Sequence, residues 1–111
     1  MMRYKTKTDV THLIRLTPAQ HKIVQWALDA VADFAGHEDA GYLRCEVPFI
    51  IGRTLHFTPG GAFDDLVDRL TNHAPDLIAD DADTPLRIRG VKIGALERFV
   101  EKLKARARGD L

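Results

Sequence analysis

The sequence predicts an α+β fold: a small antiparallel sheet of about three strands packed by three helices, in the order β-α-β-β-α-(β)-α. Three observations predict it. One long segment after Thr17-Pro18 repeats apolar residues at helical spacing. Two alternating runs flank Gly52-Arg53 as a hairpin would. Two later segments carry shorter helical stripes. Helices on one face of an antiparallel sheet are the simplest way to bury these stripes together.

The first strand falls at 10–16, where Val10, His12, Ile14 and Leu16 alternate with Thr11, Leu13 and Arg15. The first helix spans 18–35. Thr17 can cap it, Pro18 suits the first helical position, and Gln20 completes a capping box. Its stripe is Ile23, Val24, Ala27, Leu28, Val31, Phe34 and Ala35, and Gly36 supplies a stop. In 42–51, Leu43, Cys45, Val47, Phe49 and Ile51 alternate with Tyr42, Arg44, Glu46, Pro48 and Ile50. That spacing predicts a second strand with the Leu43–Phe49 set, Cys45 included, facing the core. Pro48 cannot donate to a ladder, which puts the strand at an edge or gives it a bulge. A third strand follows at 54–57.

Thr58-Pro59 opens the second helix, with Phe63, Leu66, Val67 and Leu70 as its stripe. Gly60 and Gly61 delay the regular turns, and Asn72-His73-Ala74-Pro75 ends them. Thr84-Pro85 precedes a short extended piece at 86–89. A third helix then runs from about 92 to 107 on Ile93, Leu96, Phe99, Val100 and Leu103. The 111 residues make one domain (1–111), with basic ends at 1–8 and 106–111 that the reading leaves free to move.

Formal net charge is zero, but the charge is segregated. Residues 1–22 carry five basic side chains against one carboxylate (+4). Residues 23–84 carry three against twelve (−9), and residues 85–111 eight against three (+5). Such blocks point either to an electrostatic partner or to ends that fold back onto an acidic middle. The single Cys45 excludes an internal disulfide and fits a reducing compartment. No apolar run approaches the ~20 residues that span a bilayer, and the basic start lacks the apolar core of a secretory signal. The expected setting is cytoplasmic, with no membrane partner. Arginine outnumbers lysine ten to six, as in high-GC genomes, and a bacterial, plasmid or phage product is the default.

Trp26 stands off the first helix stripe, beside Lys22, Asp29 and Asp33. An aromatic on a polar face is a candidate anchor for a protein partner. Arg98, Lys102 and Arg106 recur every four residues on the third helix, opposite its stripe. With Arg108, Arg87 and Arg89 they form the candidate nucleic-acid face, helped by Arg3, Lys5 and Lys7. Gly60-Gly61 could offer amides to an anion, but Asp64, Asp65 and Asp68 would repel it, and no phosphate-binding glycine motif is present. The acidic run Asp76, Asp80, Asp81 and Asp83 lacks the glycine and glutamate of a calcium loop, and no histidine spacing fits a metal. His12 and His56 fall on neighbouring strands and are the candidate acid–base pair, with no orienting third group.

No cofactor, no metal and no enzymatic activity are expected. The sequence reads as a small non-enzymatic interaction protein: an adaptor, inhibitor or regulator that binds another protein and has scope to self-associate. The alternative is a nucleic-acid-binding regulator using the basic arm and the basic third helix.

Overall fold

The computed structural model describes residues 12–75 and 92–109. The order is β1 (His12–Arg15), α1 (Pro18–Phe34), a 3-10 turn (Arg44–Glu46), β2 (Phe49–Ile51), β3 (Thr54–Phe57), α2 (Gly61–Asn72) and α3 (Ile93–Arg108). The α+β class and the element order match the sequence expectation. The extended piece expected at 86–89, the acidic run 76–83 and the basic arm lie outside the described residues.

The sheet has the order β1-β3-β2, with both pairings antiparallel. A two-residue loop, Gly52-Arg53, joins β2 to β3. Gly52 adopts φ 63°, the positive value that tight hairpin loops take at their first position and that L side chains resist. Beyond β1, the Leu16 amide donates to the Arg53 carbonyl at 2.7 Å, which ties the first strand to the hairpin loop.

Register fixes two faces. Ile14 pairs with Leu55, which also pairs with Ile50, and His12 pairs with Phe57. Ile14, Leu55 and Phe57 are buried beneath the helices. On the other side, Leu13 pairs with His56, which pairs with Phe49, and Arg15 pairs with Thr54, which pairs with Ile51.

The helices form one layer on the inner face: α2 packs between α1 and α3, and α3 also touches β1. Their stripes meet the inner sheet residues in one core that includes Val24, Val31, Leu66, Leu70 and Leu103. Full burial of such a side chain is worth about 1.5–3 kcal/mol. The capping box forms as the sequence implies. The Gln20 amide donates to Thr17 Oγ1 at 3.1 Å, and the Thr17 amide donates to Gln20 Oε1 at 2.9 Å. At the start of α2, Gly60 occupies φ 154°, ψ −167°, a region open essentially to glycine alone. Thr58 therefore does not cap this helix, and regular turns begin at Gly61.

Four sequence expectations are corrected. The strand expected over 42–51 shortens to Phe49–Ile51, because 44–46 wind into a turn closed by Glu46 N to Leu43 O (2.9 Å) and Val47 N to Arg44 O (3.2 Å). Those amides are then spent locally, and Pro48 has none to give. The inward set is also largely exchanged, except for Val47, which is half-buried against the core as expected. Tyr42 and Pro48 are buried and Ile50 half-buried, whereas Leu43, Phe49 and Ile51 face outward. The hairpin loop sets this register by pairing Ile50 with Leu55, and a one-residue change of register exchanges the faces. Cys45, expected in the core, is exposed on the 3-10 turn. Phe34, placed on the helix stripe, is 40% exposed; it stacks on His37 and meets Tyr42 edge-on.

Candidate interaction surface

The four residues assigned to a partner-binding face lie on α1. Lys22, Asp29 and Asp33 are exposed, and Asp29 accepts a hydrogen bond from Gln25 at 2.9 Å. Trp26 is half-buried against the core edge. The Arg69 guanidinium of α2 lies 5.1 Å from its ring centroid, a cation–π contact that occupies one face of the indole. A helical wheel of α1 cannot reveal this cover, because it comes from another element.

On α3, Arg98 and Lys102 are exposed and without an ion-pair partner among the described residues, while Lys104 meets Glu101 at 3.4 Å. Arg106 follows four residues on, along the same helix. It is half-buried, with its Nε enclosed and unpartnered. Arg108 is exposed at the helix end, and Arg87 and Arg89 lie outside the described residues.

The histidine pair does not assemble. His12 points inward, 5.5 Å from the Phe57 ring, and His56 points outward. Neighbouring strands present them to opposite faces, so they share no site. Among the described residues, no group of three His, Cys, Asp or Glu could hold a metal ion. No helix among them is long and apolar enough to cross a membrane.

What sequence reasoning missed is the outer face of the sheet. Leu13, Phe49 and Ile51 are 49%, 50% and 62% exposed there. Between Leu13 and Phe49 sits His56, whose ring stacks on Phe49 at 4.8 Å with the planes 7° apart. Among the described residues no element covers this face. At the end of the sheet away from the hairpin loop, a cavity of about 330 Å³ opens, lined by Cys45, Phe49, His56, Thr58 and Gly60 among others.

Charge here differs between the two ends: Glu46 lines the cavity, and the cations stand at the hairpin loop. Arg15 and Arg53 are exposed at the hairpin-loop end, and neither has an ion-pair partner among the described residues. No carboxylate occurs in 12–16 or in 47–63. The signal for this surface was present in the sequence: three consecutive apolar residues, Phe49-Ile50-Ile51, must turn some of their side chains away from the core of a strand covered on one side only.

The Tyr42 hydroxyl donates to Asp65 Oδ2 at 2.7 Å. Burial pushes the tyrosine pKa well above its ordinary value, the Asp65 hydrogen bond and negative charge push the same way, and Arg69 partly opposes them. This contact pins the 37–48 connection onto α2 and so sets one wall of the cavity. Arg44 also anchors it, donating to the Ala32 carbonyl in the last turn of α1 at 3.4 Å. Comparison with family models, with curated proteins and with solved structures finds no match.

Proposed function

We propose that this chain is a small cytoplasmic, non-enzymatic interaction protein, an adaptor, inhibitor or regulator, that docks a protein partner on the outer face of its sheet. The observation that carries the reading is the exposure of Leu13, Phe49 and Ile51 together on one face, opposite the helix layer. Leaving three large apolar side chains in water forgoes burial worth about 25 cal/mol per Å², and clustered apolar surface marks interaction sites. Partner capture by the wild-type chain, run beside Phe49→Ser/Ile51→Ser and beside Trp26→Ala, tests it. The expected result is at least a tenfold loss of partner affinity for the sheet variant and retention for Trp26→Ala. Full affinity in the sheet variant overturns the assignment of the face.

A second reading, nucleic-acid binding through α3, is favoured by the exposed, unbridged pair Arg98 and Lys102. It predicts binding of labelled DNA or RNA that falls steeply with salt and drops in Arg98→Ala/Lys102→Ala. Anisotropy from low to physiological salt reads it directly, and no binding at low salt ends it.

A further inference from the structure

We propose that the outer sheet face takes an extended acidic peptide segment of a partner chain, with an apolar side chain entering beside Phe49 and carboxylates meeting Arg15 and Arg53. The inference rests on the docking reading above and assigns the partner its chemistry.

Size excludes a large occupant. Three strands about 4.8 Å apart, of four, three and four residues at about 3.4 Å each, give a flat footprint of roughly 200 Å². Stable globular interfaces bury about 800 Å² per partner. A second copy seated on this face alone is therefore poorly supported, whereas a short segment matches it.

Charge then selects the segment. Both arginines lie at the hairpin-loop end: Arg15 pairs with Thr54 on the outer face, and Arg53 is the neighbouring loop residue, exposed, with its carbonyl accepting from the Leu16 amide. Neither is neutralised by a carboxylate among the described residues, and Glu46, which lines the cavity, stands at the opposite end of the sheet. Complementary charge there steers association and rejects basic competitors.

Shape sets its direction. The Leu13–His56–Phe49 row is apolar and aromatic, and beyond it lies the 330 Å³ cavity. The Arg15–Thr54–Ile51 row stands two residues nearer the loop, about 7 Å away. A segment with its carboxylates over the loop end and an apolar side chain at the cavity end satisfies both. A nucleic-acid strand fits less well. Its phosphates need cations along its whole path, and here they sit at one end. Leu13 and Ile51 also give a base nothing to stack on.

The test is a display selection of random dodecapeptides on the full chain, with counter-selection on Phe49→Ser/Ile51→Ser. The best peptide is then labelled and titrated by anisotropy against the wild-type chain and Arg15→Glu/Arg53→Glu. A dodecathymidine oligonucleotide is titrated in parallel, and circular dichroism verifies that each variant is folded. Enriched peptides are expected to be net acidic, to bind at least tenfold more weakly to the charge-reversed variant, and to lose affinity when their carboxylates become amides. Neutral or basic winners, or affinity unchanged by charge reversal, overturn the acidic chemistry and leave the docking face standing. No enrichment over the counter-selected variant overturns both. Oligonucleotide binding that is lost in Phe49→Ser/Ile51→Ser replaces the peptide with nucleic acid.

Discussion

Phe57→Ala is expected to lower the unfolding free energy by about 3–5 kcal/mol, the usual cost of truncating a buried aromatic. Phe57 is 2% exposed, in the central strand of the sheet. Its ring stacks on Phe63 of α2 at 4.4 Å and meets His12 of β1 at 5.5 Å, so one side chain joins two strands and a helix. Small domains have only about 5–15 kcal/mol in total, and the variant should stand near the edge of folding at 37 °C. Phe49→Ala, on the same hairpin, is the internal control. Phe49 is half exposed, and its loss should change stability by less than about 1 kcal/mol. Urea unfolding followed by circular dichroism measures both. Equal destabilisation by the two substitutions would mean that the hairpin faces are wrongly assigned.

That contrast also marks where the sequence was legible. The start of α1 could be read because its determinants are local: Thr17, Pro18 and Gln20 meet within four residues. The stripes of α2 and α3 were legible for the same reason, since their apolar and charged residues separate cleanly at helical spacing. The face of β2 was not. Phe49, Ile50 and Ile51 are all apolar, so alternation cannot say which of them turns inward. The choice is made by pairing Ile50 with Leu55 through the Gly52-Arg53 loop, and by the local turn at 44–46 that cuts the strand short. Site reasoning meets the same limit. Trp26 looked unpartnered on its own helix, yet Arg69 reaches it from α2, 43 positions along the chain. Contacts across elements decide which apolar side chains remain in water, and no single segment encodes them.

Tyr42 is the other position where one substitution should have a large effect. Its ring is buried, its hydroxyl donates to Asp65, and its carbonyl accepts from the Gly36 amide at 3.3 Å. Tyr42→Ala should cost about 3–5 kcal/mol, as for other buried aromatics, and Tyr42→Phe about 0.5–1.5 kcal/mol for the hydrogen bond alone. The two variants differ in pH dependence as well. The folded chain holds the Tyr42 proton more tightly than the unfolded chain does, so its contribution to stability is complete below the ordinary tyrosine pKa of ~10. Above that pH the unfolded tyrosine ionises first, and this contribution is lost as pH rises toward the folded value. Urea midpoints at pH 8 and pH 11 should therefore converge between wild type and Tyr42→Phe. A gap that stays constant or widens would contradict the buried, proton-holding hydroxyl. Hydrogen exchange adds the structural consequence. In Tyr42→Ala the amides of Glu46 and Val47, which close the 3-10 turn, should exchange faster, because that turn is held down through Tyr42. The turn carries Cys45 and leads into Phe49, so loosening it spoils the cavity wall while leaving Arg15 and Arg53 in place. A selected peptide should then keep its charge-dependent attraction to the loop end and lose the affinity contributed by its apolar side chain, separating the two halves of the docking face in one variant.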